Sequence, residues 1–333
     1  MNRLNQKELL SHYHQVLQQK ENPYFFKMKH IPVSYDITSS IETLWNIHNS
    51  AIQDNSVKIN QPAQSLLDLK IDIAHKLYSD CIFCKHQCHV DRTKKAGYCK
   101  VTTPMIASEF LHHGEESVFT PSHTIFFSGC NFQCLFCQNN DISQQLKGLY
   151  LSSTKLAQRI EQNHTNNSLN VNWVGGDPTP NLHYLLKTIR QIQEPIPQIW
   201  NSNMYCSKET MKLLDGVIDV FLSDFKFGNN TCAQKLANIP HYFEVISRNH
   251  QIAANSGDVF IRHLVLPNHI DCCSKPILSW IAEHIPETPL HIMDQYYPSY
   301  KACRIPELNR RCSQKEIQDV NTFAQELHLQ IVN

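Results

Sequence analysis

From residue 123 onward, short apolar runs alternate with amphipathic stretches, and this alternation restricts the fold more than any other feature of the chain. The runs "HTIFFSG", "VNWVGG", "PQIWNSN", "VIDVFLSDF", "DVFIRHLVL" and "PLHIMDQY" are strand-like. Stretches such as "TKLAQRIEQNH", "NLHYLLKTIRQI", "SKETMKLLD" and "SKPILSWIAEHI" carry apolar residues at helical spacing, and a last helix is expected from about 313 to 328. Repeated βα units produce parallel strands joined by right-handed crossovers. The chain is therefore expected to be an α/β protein, either an open doubly wound sheet or a barrel, whole or partial. Both architectures gather functional groups at the carboxyl ends of the strands.

Upstream of the repeat, residues 1–78 read as a helical N-terminal arm, with apolar residues three and four apart in "QKELLSHYHQVLQQK" and "QSLLDLKIDIAHKLYS". The expected organisation is that arm, a Cys-rich metal-binding segment at 79–120, the βα body at 121–295 and a C-terminal extension with a helix at 296–333. A chain of 333 residues with 41% hydrophobic residues can bury a large core. Thirty basic residues balance thirty acidic ones, so no electrostatic footprint favours nucleic acid or an anionic membrane as partner. The N-terminus lacks an apolar signal core, and nowhere do eighteen apolar residues run together, which leads to the expectation of a soluble cytoplasmic protein. In a reducing compartment thirteen cysteines argue for metal ligation or redox chemistry over disulfides.

The unusual residues fall just after the strands. The first strand leads into "CNFQCLFC", the second into "GGDPTP", the third into "NSNMYCS" and the fourth into "SDFKFG", while the fifth carries Arg262 and His263. Cys130, Cys134 and Cys137 offer three thiolates at x3 and x2 spacing. A structural zinc ion takes four protein ligands, and no fourth is near in sequence; completion from afar, for instance by Cys206, is the zinc alternative. An iron-sulfur cube takes one thiolate per iron, so three cysteines leave one iron open to another ligand. Arg262 and His263 are adjacent on one strand and point to opposite faces; Arg262 is expected inward and His263 in the packed core.

The series "FFSGCNFQCLFCQNNDIS", "WVGGDPTP", "WNSNMY", "DVFLSDFKFGN", "IRHLVLP" and "MDQYYP" resembles the radical S-adenosylmethionine (SAM) superfamily, in particular its pyruvate formate-lyase activating enzyme-like branch. The resemblance covers roughly residues 80–330 and implies a partial (β/α)6 barrel. It implies that Cys130, Cys134 and Cys137 hold a 4Fe-4S cluster whose open iron chelates S-adenosylmethionine, and that the reduced cluster cleaves it to a 5'-deoxyadenosyl radical for hydrogen abstraction. It further implies cofactor contacts from Phe136, Asn139, Gly175, Gly176, Asp177, Asn201, Ser202, Asn203, Asp224, Lys226 and Arg262. Asp177 stands where the family has glutamate, so the backbone carbonyls of "GGD" are the safer ammonium acceptors. Asp224 and Lys226 could equally form a structural ion pair. An electron donor such as flavodoxin or ferredoxin and a protein substrate, including a glycyl-radical enzyme, belong to the same implication. An iron-sulfur protein with a structural or redox-sensing role and no turnover is the alternative.

A second group, Cys81, Cys84, Cys88 and Cys99, has x2, x3 and x10 spacings. Four thiols suit either zinc or a second iron-sulfur cluster, and His86 or His89 could replace one of them. Cys206, Cys232, Cys272, Cys273, Cys303 and Cys312 show no ligand spacing and are expected to be buried free thiols. "MDQYYP" and "RIPELNRRC" are read as turns outside the site.

Overall fold

Seven strands form one sheet in the computed structural model, which describes residues 6–54, 56–114 and 116–332. They are β1 (Ile106–His112), β2 (Ser122–Phe127), β3 (Asn170–Gly175), β4 (Gln198–Ser202), β5 (Val220–Asp224), β6 (Asp258–Leu264) and β7 (Leu290–Met293). The last six coincide with the six apolar runs: β2 and β3 start one residue earlier than their motifs, and β4 to β7 are shorter than theirs. Strands β2 to β7 are mutually parallel, and β1 pairs antiparallel with β2. The sheet order follows the sequence without reversal, from β1 to β7. A doubly wound sheet needs such a reversal; right-handed crossovers that always step the same way put every helix on one face and leave the other as a lumen. The architecture is a partial barrel.

Thirteen helices accompany the strands among the described residues. Five precede β1: α1 (Gln6–Leu9), α2 (Ser11–Leu17), α3 (Tyr24–His30), α4 (Ile41–Asp54) and α5 (Leu66–Ser79). The other eight are α6 (Asn140–Ser143), α7 (Ser153–Thr165), α8 (Leu182–Gln191), α9 (Lys208–Leu214), α10 (Asn230–Ala237), α11 (Tyr242–Ala254), α12 (Lys275–His284) and α13 (Gln314–Glu326). Side-chain caps start several of them: Ser65 with Asp68 and Ser313 with Glu316 form capping boxes, and Ser152, Ser207 and Asn229 each accept from a first-turn N–H. None of the described helices is long and apolar enough to cross a membrane.

Side-chain alternation divides the lumen into two layers. Ile199, Val220, Leu222 and Phe260 form an apolar base with Phe119, and Leu10 and Tyr13 close it from below. Two positions further along the same faces come Asn201, Asp224 and Arg262, which make the mouth polar. Helix α2 is tied into the base by His12 Nε2 to Asp219 Oδ1 at 2.8 Å and by Tyr13 N donating to Asp258 Oδ2 at 2.8 Å. Helix α5 packs outside against α8, with Arg190 Nε donating to Asp68 Oδ1 at 2.7 Å, and it reaches α9 through Lys70 Nζ, which donates to Lys212 O at 2.7 Å. Helices α3, α4 and α5 share one apolar core with the outside of the barrel, from Phe25 to Leu329. Within 79–120, the stretch read as a metal-binding segment also supplies β1.

Candidate active site

The β2–α6 loop begins at Gly129, whose φ of +89° and closeness to Val101 leave no room for a Cβ. Its backbone is held from outside: Gln133 N donates to Ala237 O at 3.0 Å and Leu135 N to Leu236 O at 2.8 Å, both at the carboxyl end of α10. Cys130, Cys134 and Cys137 line one cavity of about 290 Å³ at the carboxyl ends of the strands. Phe132 N donates to Cys130 Sγ at 3.3 Å, and Ser143 Oγ lies 3.3 Å from Cys137 Sγ. Burial pushes the Cys134 thiol up to about 12 and also raises Cys130 well above its ordinary value, with Asp177 adding to the rise at Cys130. Buried thiols of this kind ionise when a cationic group binds them. Among the described residues no fourth ligand joins the three at the spacing of a single ion, and the Cys206 thiol meets Thr179 Oγ1 instead, at 3.3 Å. Three thiols around one cavity fit an iron-sulfur cube with one open iron better than a closed zinc site.

The opposite walls carry the remaining expected residues: Phe136, Asn139, Gly175, Gly176, Asp177, Asn201, Ser202, Asn203, Asp224, Lys226 and Arg262 all line this cavity. At Gly175 (φ +136°) and Gly176, added Cβ atoms would come within 2.1 Å of Phe127 O and 2.2 Å of Gly129 O. The paired glycines therefore let the β3 end lie directly against the base of the cysteine loop. Asp177, 1% exposed, accepts from Thr179 N (2.9 Å), Ser202 Oγ (2.9 Å) and Asn203 N (3.0 Å), so its carboxylate joins two strand ends. Asn203 Nδ2 donates to Asn131 Oδ1 at 2.7 Å and ties the β4 end to the cysteine loop. Arg262 spans Asp224 Oδ1 (3.0 Å, from Nε) and Asn201 Oδ1 (2.6 Å, from Nη2), while Lys226 pairs with Asp224. Burial pushes Asp224 up, but Arg262 and then Lys226 outweigh it and hold the carboxyl below its usual range. His263 faces away, with Nδ1 2.8 Å from Phe225 O and Nε2 2.9 Å from Ser274 Oγ, as a satisfied core side chain.

Met293 and Gln295, from the "MDQYYP" stretch read as lying outside the site, also line the cavity. Their signal was position, since Met293 ends the sixth parallel strand and Gln295 follows it, as the other site residues stand at or just after the ends of theirs. Together with Arg262 they also border a second cavity of about 420 Å³, lined by His112, Glu116 and His291, at the gap between β1 and β7.

Cys81, Cys84, Cys88 and Cys99 lie near enough to one another that the neighbouring thiols add to the rise that burial gives Cys84 and Cys99. Arg92 is 1% exposed and ion-pairs with no carboxylate among the described residues; its Nη1 lies 3.8 Å from Cys81 Sγ and its Nε and Nη2 donate to Val101 O. A buried cation without a carboxylate is costly unless another anion compensates it, and thiolates are the anions at hand. His86 and His89 are engaged elsewhere: His86 stacks on Tyr98 and meets Asn131 O at 2.9 Å, and His89 pairs with Asp80 at the surface. Through Asn131 this segment abuts the cysteine loop, and through the Cys84–Cys206 backbone bridge it abuts the β4–α9 connection.

A partial barrel of parallel strands with its polar cavity at their carboxyl ends defines the class, that of cofactor-binding (β/α) barrels. Within that class residues 124–281 match the model of the Radical SAM superfamily, so the chain carries a domain of that superfamily. Uncharacterized protein MJ0674 of Methanocaldococcus jannaschii is 42% identical over 310 residues, which cover 88% of this chain and 90% of that one. Structures of Streptococcus suis SuiB bound to S-adenosylmethionine and to its precursor peptide SuiA are similar at TM-scores of 0.46 and 0.48, each with 12% identity. Those matches cover 59% and 87% of this chain but 44% and 60% of the SuiB chain, so this chain spans less than two thirds of that neighbour. A likeness of that grade carries no argument about activity. A domain of that superfamily implies an enzyme that uses a 4Fe-4S cluster and S-adenosylmethionine.

Proposed function

We propose that the protein is a radical SAM enzyme of the pyruvate formate-lyase activating enzyme-like branch, with Cys130, Cys134 and Cys137 as ligands of the 4Fe-4S cluster and S-adenosylmethionine in the same cavity. The observation that carries this reading is convergence: five separate strand ends contribute the family-like residues to one space of about 290 Å³. When bound, the reduced cluster supplies the electron that cleaves S-adenosylmethionine to methionine and a 5'-deoxyadenosyl radical, which takes a hydrogen atom from a substrate.

The chain's own residues bind and orient. Arg262 and Lys226, fixed by Asp224, offer cationic groups for the carboxylate of the methionine moiety. Backbone carbonyls at Gly175 and Gly176 receive its ammonium, and Asp177 keeps that strand end against Ser202 and Asn203. Phe126, Phe132, Phe136, Leu264 and Met293 give the cavity apolar walls that limit water around a reactive radical. The adjoining 420 Å³ cavity, reached past Arg262 and Met293, is the assigned entrance for the hydrogen donor, a glycyl or other residue of a protein substrate as the sequence resemblance implies.

The N-terminal quartet is assigned a second iron-sulfur cluster. Its thiols neighbour one another and a buried arginine, yet among the described residues they are not drawn to the spacing of one shared ion, whereas a cluster gives each thiolate its own iron. A small reductase of the flavodoxin or ferredoxin kind is the proposed electron donor. Anaerobically reconstituted protein given dithionite and S-adenosylmethionine is expected to form 5'-deoxyadenosine, and the Cys137→Ala variant to form none. Wild-type protein with a full cluster and no product would overturn the reading in favour of a structural or redox-sensing iron-sulfur protein.

A further inference from the structure

We propose that Cys232, His269, Cys272 and Cys273 form a closed Cys3His zinc site on the outside of the barrel mouth. Cys232 lies in the first turn of α10, after β5, and the other three lie in the connection from β6 to α12. Folding brings these two segments together although Cys232 and His269 are 37 residues apart in sequence. All four ligand atoms fall within 4.8 Å of one another. Cys232 Sγ is 3.8 Å from Cys272 Sγ and 3.6 Å from His269 Nδ1, and Nδ1 is 3.2 Å from Cys272 Sγ and 3.9 Å from Cys273 Sγ.

These separations identify the kind of ion. Zinc–sulfur bonds of about 2.3 Å and zinc–nitrogen bonds of about 2.0 Å in a tetrahedron hold neighbouring ligand atoms roughly 3.5–3.8 Å apart. An iron-sulfur cube would spread its thiolates over different irons, farther apart than ligands that share one ion. Three thiolates and one imidazole complete four-coordination, which is the closed arrangement of a structural ion with no position left for substrate.

Surrounding groups support the ligands. Asn229 Nδ2 donates to Cys272 O at 2.6 Å and lies 3.4 Å from Cys232 Sγ, while Asn229 Oδ1 accepts from Cys232 N at 2.8 Å. The two segments press together so closely that a Cβ on Gly228 would sit 2.6 Å from Cys273 O. The ion's place explains its use: it anchors the amino end of α10, and the carboxyl end of α10 accepts the Gln133 and Leu135 N–H groups of the triplet loop.

The test is zinc bound per chain in full-length protein purified anaerobically, together with X-ray absorption at the zinc edge. Wild type is expected to show a three-sulfur, one-nitrogen zinc shell. Cys232→Ser and Cys273→Ser should each lower zinc by about one per chain and weaken its binding more than about tenfold, the least that loss of even an outer partner of a metal ligand produces. Cys303→Ser should change nothing, and His269→Cys should retain zinc, which separates ligation from a folding defect. Cys137→Ala should also keep this zinc, so failure of the site is distinguishable from failure of the radical reading. Unchanged zinc in Cys232→Ser and Cys273→Ser, or a Cys232–Cys272 disulfide in the anaerobic protein, would overturn the assignment.

Discussion

The carboxylate of Asp177 accepts three hydrogen bonds from its own chain, at Thr179, Ser202 and Asn203, and so acts as a joint between two strand ends. Removing it leaves buried donors unpaired at a cost of about 1–3 kcal/mol for each one not reached by water. Asp177→Ala should accordingly lower the denaturant midpoint at unchanged m-value and weaken S-adenosylmethionine binding; an unchanged midpoint would refute the joint. Lys70 provides a pH test. It is fully buried, and desolvation pushes its ammonium down to about 7, against a weaker opposing pull from Asp215. Between about pH 7 and the ordinary lysine value of 10.5 the unfolded chain binds a proton that the native one has released, so stability rises with pH across that window. Lys70→Met should flatten that rise relative to wild type in unfolding curves taken from pH 7 to 10.

At the scale of elements, α2 and α10 have jobs that their own sequences do not announce. Helix α2 is the floor of the barrel: Tyr13 is 0% exposed, stacks edge-on against Phe119 with ring centroids 5.4 Å apart, and its hydroxyl accepts from Asn170 Nδ2 at 2.7 Å. Tyr13→Ala should cost about 3–5 kcal/mol, the range for emptying a buried aromatic site. Chemical denaturation checks it, and a loss below about 1 kcal/mol would mean that the floor is not packed as described. Helix α10 joins the outer Cys3His group to the inner cysteine loop, since one end carries Cys232 and the other accepts Gln133 and Leu135. Its eight residues are too few to be stable alone, so their order depends on what holds the two ends.

For the molecule as a whole, the two cysteine groups meet across Asn131 and His86, an adjacency that would suit electron transfer if each group held the cluster proposed for it. Anaerobic reconstitution should therefore load about eight irons per chain, and a variant with Cys81, Cys84, Cys88 and Cys99 changed to Ser about four. Zinc in place of iron at those four positions would remove the relay. The six parallel strands, the curved sheet's inner mouth and the cavity residues were legible in the chain itself, because βα periodicity is local and each contribution to the cavity is a short contiguous motif at a strand end. Cys130 to Cys137 and Gly175 to Asp177 needed no partner to be recognised. Strand β1 was not legible: it is an edge strand with mixed burial inside a cysteine-rich stretch. Neither was the sequential strand order, which excludes the doubly wound alternative, nor the floor made by Leu10 and Tyr13, nor the gathering of Cys232 with His269, Cys272 and Cys273. Each of these depends on contacts between residues far apart in sequence, and such contacts exist only once crossover hand, burial and loop closure have been settled together. Local periodicity and motif chemistry determined what the elements are and which short motifs stand at the strand ends; only the tertiary structure decided which distant side chains share a wall, a floor or a cluster of ligand atoms.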